Sequence, residues 1–463
     1  MYLKIMNYVF IKNYFSNLVL ICLVRGMRKR LLLSFFISIF LVLNGCVEQD
    51  SNETENGSNE TSDNGADSDN GTDDSGIEDG SEFSDPCGNA IGNGNEIISG
   101  PSEPEHEADR DNPFRSLTVH PTNPDVIIVG TERNGFVKSI DGGNNWTRSR
   151  KGLRHYYDSY PEIYDIAFSE NNPDIVYAAV LDGPGPVTGN YPSSNGGIYK
   201  SLDGGETWQR KNCGIDNGWI WSVYINPNDP NNAIIGISGG ETTFTGWDIS
   251  GQYFDGGIYK TTDGGDNWHR VNVGEFDNVN SYMIIKSAKN NSSLLYTFGS
   301  NFENLSENVG FLKSIDDGET WYSFASDLRN HQISYFDISS NGNVIYAVDT
   351  HYIHKSIDGG ETWNQYNVFS GGYVLAVFPN SYDRIIYSTI DGVFLSKDGL
   401  ESNTKVISID QGQNHVSDIV IAPSDSNIVY VVTVGYDFYK STDAGESFTK
   451  IVNLRNEVLN VIP

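Results

Sequence analysis

Cysteine, methionine and basic side chains are all scarce in this chain of 463 residues. Four cysteines are too few for a disulfide-built scaffold, and no Cys–His spacing matches a zinc site. Only 30 basic residues face 61 acidic ones, a formal net charge of -31. That imbalance argues against a nucleic-acid partner, because a phosphate backbone requires a basic face. Four methionines and a charged fraction of 20% argue against a helical bundle or coiled coil. Turn formers and aromatics are plentiful instead: 48 glycines, 26 tyrosines and 22 phenylalanines. Many short strands joined by tight turns are expected.

Charge divides the chain into three parts. Residues 1–46 carry six basic and no acidic side chains; residues 47–112 carry 20 acidic ones with Arg110 as sole base; residues 113–463 are moderately acidic. Within the first part, Met27-Arg28-Lys29-Arg30 precedes an apolar run from Leu31 to Leu43. A basic start, about a dozen apolar residues and a small residue at the break describe an export signal. The run is short for a membrane span, which needs about 20 residues. Translation starts at Met1 or at Met27. The ending Leu43-Asn44-Gly45-Cys46 resembles a bacterial lipobox. That resemblance implies lipidation of Cys46 and a protein held at the cell surface or periplasmic face of a membrane; the alternative is an ordinary signal peptide cut nearby and secretion. Residues 47–112 form an acidic linker with little to bury, and disorder is expected there.

The body from 113 to 463 is periodic. Seven segments follow one pattern: an aromatic or aliphatic residue, Lys, Ser or Thr, any residue, Asp, Gly or Asp, Gly, two further residues, Trp. Their aspartates are Asp141, Asp203, Asp263, Asp316, Asp358, Asp398 and Asp443, spaced by 62, 60, 53, 42, 40 and 45 residues. The sixth copy lacks the Trp, and the seventh has Phe448 in its place. Each unit holds four strand-like runs; in the second these are Ile163–Phe168, Ile175–Leu181, Gly197–Ser201 and Thr207–Lys211. The Asp motif always falls between the third and fourth. Seven units of four strands predict an all-β fold, a seven-bladed propeller of antiparallel blades.

The motif Ser-x-Asp-x-Gly-x-x-Trp resembles the Asp-box, or BNR repeat, and Gly197-Ile198-Tyr199-Lys200-Ser201-Leu202-Asp203-Gly204-Gly205-Glu206-Thr207-Trp208 carries the likeness best. The chain is most similar to the photosystem II assembly factor, sortilin and xyloglucanase branches of that group. The aspartate of each copy is expected to accept hydrogen bonds from its own turn, and the Trp to pack between blades. One carboxylate per loop is too few for calcium, which takes six to eight oxygens. No metal and no cofactor are expected.

Blade topology places every Asp turn on one face and the long insertions, 182–195, 239–255, 300–309 and the link 149–162, on the other. That rim is aromatic and acidic. Tyr156, Tyr157, Tyr191, Trp219, Trp247 and Tyr253 are the candidate ligand-binding residues, since ring faces interspersed with carboxylates suit a sugar or a peptide strand. Packing of the loops against one another is the competing role for the same aromatics.

Catalytic constellations are thin. A glycosidase needs two opposed carboxylates, and Glu132, Asp182, Glu241 and Asp248 are the candidates. Phe114-Arg115-Ser116-Leu117 does not match the sialidase Phe-Arg-Ile-Pro motif, and xyloglucanases of this type use two propellers where one is present here. Gly236-Ile237-Ser238-Gly239-Gly240 fits a nucleophile elbow in letters, but no helix follows it. His351 and His354, three apart in an expected strand, point to opposite faces and cannot share a metal. Outside the cytoplasm, Cys87 and Cys213 are suited to a disulfide. The sequence therefore reads as an exported, lipid-anchored, monomeric binding or assembly module for a glycan or polypeptide; the alternative is a glycoside hydrolase acting on a β-linked polysaccharide. Last, Val458–Pro463 matches the run Val374–Pro379. It completes an eighth composite blade with 83–112, caps a seven-bladed ring, or marks a longer array. The polar character of 83–112 favours the capped ring, with the tail at the seam.

Overall fold

The computed structural model describes residues 87, 114–132, 134–155, 160–181, 183–186, 195–242, 249–273, 281–300, 310–329, 331–368, 372–409 and 415–453. All belong to one compact unit, Gly80–Pro463. Cys46, the acidic linker up to 86 and the tail Val458–Pro463 lie outside the described residues.

Seven four-stranded antiparallel sheets form the ring. Blade 1 runs from Phe114–Val119 to Thr147–Ser149 and blade 2 from Glu162–Phe168 to Gln209–Arg210. Blades 3 to 7 begin with Ile220–Ile225, Ser281–Ala288, Tyr335–Ile338, Gly372–Val377 and Val416–Ile421. Each of these first strands lines the central channel and neighbours the first strands of the two adjacent blades; the first strand of blade 1 neighbours that of blade 7. Closure therefore comes from packing. Among the described residues the strands of blade 1 lie within 114–149 and those of blade 7 within 416–453, with none exchanged between them.

The second strands explain why the sequence alternates so weakly. Ile127–Thr131, Val176–Leu181, Ala233–Ile237, Ile345–Val348, Ile385–Thr389 and Val429–Thr433 are buried at every residue. A strand between two blades has no solvent face, so both its sides are apolar. The core is accordingly seven clusters, one at each blade–blade interface. The cluster across the closing seam joins Leu117, Val119 and Val137 of blade 1 to Tyr430, Val432 and Phe438 of blade 7.

The Ser-x-Asp turns are built alike in all seven copies. In blade 2, Asp203 Oδ1 accepts the Ser201 hydroxyl at 2.7 Å and the N–H of Thr207 at 2.8 Å, and Oδ2 accepts the Thr207 hydroxyl at 2.6 Å. The Trp-less sixth copy keeps the set, with Ser402 donating to Asp398 from both its N–H and its hydroxyl. These bonds lower the carboxyl pKa: the side-chain bond from Thr362 and the N–H of the same residue take Asp358 down to about 2. The residue after the Asp has positive φ in every copy, including Asp317 and Ala444. That conformation explains the recurrent Gly at this position.

Each turn also donates an N–H to the first-to-second-strand loop of its own blade, as Gly142 does to Asp125 O, Gly204 to Asp174 O and Gly399 to Asp383 O. The two loops thus share one face. The tryptophans reach the preceding blade: Trp208 stacks on Phe136 at 4.1 Å and Trp363 on Phe311 at 5.4 Å. The Lys before the Ser reaches the following blade. Lys138 pairs with Glu206 at 2.5 Å, Lys260 with Glu319 at 2.6 Å and Lys355 with Asp383 at 2.8 Å. Lys440 closes the circuit onto Asp125 of blade 1 at 3.2 Å.

Replacing Asp203 with Ala should lower stability by about 1–2 kcal/mol, since it removes the acceptor for two turn N–H groups and two hydroxyls. Chemical denaturation measures this. The same variant should bind ligand normally below its melting transition; lost binding with unchanged melting would contradict a purely structural turn.

Candidate functional site

The first strands of all seven blades enclose a central cavity of about 490 Å³. Its wall carries unusual polar chemistry for a site this enclosed. Asp165 of blade 2 accepts the N–H of Val223 in blade 3 at 2.9 Å. Asp337 of blade 5 accepts Val377 N–H in blade 6 at 2.8 Å, and Asp418 of blade 7 accepts Leu117 N–H in blade 1 at 2.9 Å. Three aspartates thus clip one blade to the next. Lys286 of blade 4 lies 3.4 Å from the Tyr335 hydroxyl. Burial works against its charge, but Tyr335, Asp337, Asp165 and Asp418 outweigh that and hold its pKa above the ordinary value. Burial pushes the Asp418 carboxyl up to about 7, against the opposing pull of Leu117 N–H and Lys286.

The mouth on the face opposite the Ser-x-Asp turns is where the first strands begin. Arg115 sits there between two carboxylates, 2.6 Å from Glu132 and 3.8 Å from Glu162. Its guanidinium lies 5.6 Å from the Tyr164 ring centroid. Tyr164 meets Trp221 edge-on at 4.4 Å, and Trp221 lies 5.9 Å from Trp219. His415 lines the same cavity, its pKa lowered by burial and by the Arg115 cation. Trp221 Nε1 and Ser222 Oγ are buried there with no hydrogen-bond partner among the described residues. The mouth therefore offers an aromatic wall and one paired cation.

The rim residues divide. Glu132 is at this mouth, paired with Arg115. Glu241 and Tyr253 face each other on a two-stranded ribbon, Gly240–Glu241 with Tyr253–Phe254, and Tyr253 is 46% exposed. Trp219 packs beneath that ribbon, so close to Gly240 that a Cβ there would meet its ring at 2.6 Å. Of the two roles expected for the aromatics, the packing of Trp219 against Gly240 shows the supporting one. Asp182, Asp248, Tyr156, Tyr157, Tyr191 and Trp247 lie outside the described residues. Asn217 ties the insertions together, a role that nothing in its sequence context signals. It donates to Ser238 O and Asp255 O and accepts the N–H of Trp219 and of Gly185. A disulfide joins Cys87 to Cys213, in the link between blades 2 and 3.

One expectation is corrected. His351 is not in a strand; it occupies the turn before Tyr352–Ser356. His354 instead meets Asp349 and, across 23 residues of sequence, His331.

No protein-family model matches the chain, and no curated protein matches it. Solved structures do. An ancestral GH74 enzyme is 14% identical over 73% of this chain and 46% of its own, with a TM-score of 0.55. The extracellular domain of a protein from B. thetaiotaomicron, described as a one-component system, is 13% identical over 73% and 41%, with a TM-score of 0.50. YCF48 from Cyanidioschyzon merolae is 14% identical over 71% and 94%, at 0.49. This chain spans less than half the length of the first two. At these identities the likeness shows the propeller fold alone, and a fold shared by an enzyme and an extracellular domain does not assign a role.

The channel wall makes stability pH-dependent. Asp418 has a folded pKa of about 7 against an ordinary 3.8. A carboxyl raised on folding favours the folded state fully below its unfolded value, and that benefit is lost as pH rises through the folded value. The melting temperature should therefore fall between pH 5 and pH 8, and the slope should flatten in Asp418→Asn. Thermal scans across a buffer series test this; equal slopes in both proteins would show Asp418 to be ionised in the fold throughout.

Proposed function

We propose that this chain is an exported, lipid-anchored binding propeller that holds a glycan or a polypeptide over the channel mouth on its insertion-bearing face. We read its turns as Asp-boxes of the BNR group, and residues 1–46, 47–112 and 113–463 as signal, tether and binding domain. The observation that carries the reading is the mouth itself: Tyr164, Trp221 and Trp219 as a wall, beside Arg115 held between Glu132 and Glu162. Ring faces take sugar rings or apolar side chains, and a fixed cation orients a polar group. The Cys87–Cys213 bond supports an oxidising compartment.

A glycosidase needs two opposed carboxylates, and Glu132, the candidate at the mouth, is engaged instead by Arg115 at 2.6 Å, which favours the binding reading.

The test is a glycan array and a peptide library probed with the mature chain, alongside a polysaccharide-hydrolysis screen. Tyr253→Ala and Arg115→Gln should each weaken binding of the selected ligand by about tenfold, with the first leaving melting unchanged. Sustained release of reducing ends from a polysaccharide would replace the binding reading with a glycosidase. Cys46→Ser should move the protein from the membrane fraction into solution; a variant that stays with membranes would exclude the lipid anchor.

A further inference from the structure

Outside the channel, one cluster brings together side chains that neither the fold nor the proposed ligand site requires. Asp349 follows the second strand of blade 5, Ile345–Val348, and His354 lies in the third, Tyr352–Ser356. His331 comes from the link that leads into the blade, just after the turn Ser326–Leu328. One oxygen of Asp349, Oδ1, accepts the N–H groups of His351 and Tyr352 at 2.7 Å each, which fixes the carboxylate in the turn. The other, Oδ2, lies 2.7 Å from His331 Nδ1 and 2.9 Å from His354 Nε2. The two imidazoles meet edge to face, with ring centroids 4.7 Å apart. All three donor atoms fall within 4.8 Å of one another.

We infer that His331 Nδ1, Asp349 Oδ2 and His354 Nε2 form a binding site for a divalent transition metal of the zinc class. Two imidazoles and one carboxylate are a ligand set that zinc takes, with bonds of about 2.0–2.2 Å and a fourth position left for water. Nitrogen-rich ligation of this kind disfavours calcium and magnesium, which select oxygen. The carboxylate is already anchored by two backbone donors, as ligating carboxylates commonly are. Asp349 and His354 are buried at 4% and 2% exposure, whereas the His331 side chain is 33% exposed. The open side at His331 gives an ion its way in and leaves room for water. Binding needs the lone pairs of both named nitrogens, so each neutral imidazole carries its proton on the other ring nitrogen in the loaded state. No proton is released unless a ring starts as imidazolium.

The cluster stands on the same face as the channel mouth. The link that carries His331 continues into Ser334 and Tyr335, which line the cavity. An ion here would tie that link to the turn after the second strand, in a blade with no long insertion. This site does not depend on the proposed ligand, and neither result bears on the other.

The purified chain, stripped with a chelator, is titrated with Zn2+ and with Ca2+ by calorimetry, and with Co2+ by visible absorption. One equivalent of Zn2+ should bind, Ca2+ should not, and Co2+ should develop the ligand-field bands of a nitrogen-containing site. His331→Gln keeps a hydrogen-bond donor to Asp349 at an accessible position, so the metal-free variant should melt as the parent does. It should bind Zn2+ at least about 100-fold more weakly, because removing even an outer-shell partner costs about 10–100-fold. Asp349→Asn should lose the same equivalent, and Zn2+ should raise the melting temperature of the parent and of neither variant. If the parent binds no Zn2+, or binds it as tightly as His331→Gln does, the three side chains are a hydrogen-bonded brace and the metal site is wrong.

Discussion

A blade of this propeller cannot bury its own faces; only its neighbours can. The second strands state this most directly, since runs such as Ile127–Thr131 and Val429–Thr433 are buried at every residue. Fully burying one Val or Ile contributes about 1.5–3 kcal/mol. An ion pair with one exposed partner, such as Lys138–Glu206, contributes about 1 kcal/mol or less. The seven apolar interfaces therefore supply the stability of the ring. The polar contacts at their two ends decide how each blade is seated against the next: lysines at the turn-bearing face, aspartates in the channel. Directional bonds are suited to that task, whereas apolar contact tolerates sliding.

The channel shows what this division of labour costs. Asp165 and Asp418 line the cavity and Asp337 lies near enough to act on Lys286, and each is bonded to a backbone N–H of the following blade. Their charge is met there by Lys286, which Asp165, Asp337 and Asp418 together keep ionised. In an acidic protein this buried lysine is placed where repulsion among carboxylates would otherwise be strongest. It offsets part of the wall's charge without adding to the mouth, where Arg115 already has Glu132 and Glu162. Architecture and recognition thus use separate cations.

Blade number, strand number and the position of the turns were legible because each is written locally and seven times over. The Ser-x-Asp motif contains its own acceptor, its own donors and its own Gly within ten residues, so a single copy suffices to read it. The expected fourth strand of blade 2, Thr207–Lys211, is trimmed to Gln209–Arg210: Thr207 is bonded to Asp203 and bridges Lys151, and the Trp208 N–H goes to Lys151 O. The site was far less legible. Arg115 meets Glu132 from a turn and Glu162 from the next blade, Asp418 reaches Leu117 from 301 residues away, and His331 finds His354 across a link. None of these pairs leaves a spacing signature, since strand pairing within a blade or packing between blades brings each together. The same limit misplaced His351: judged only against His354, it hid the partner that His354 has.

The closing seam is packed as the other six interfaces are, and among the described residues blades 1 and 7 each complete their sheets from contiguous sequence. The order in which the blades are threaded is then arbitrary with respect to the ring. A chain begun at any inter-blade link, with the present first and last blades joined by a short connector, would present the same interfaces, the same channel wall and the same mouth. Such a ring is expected to accept circular permutation at its inter-blade links without altering the surface it offers to a ligand.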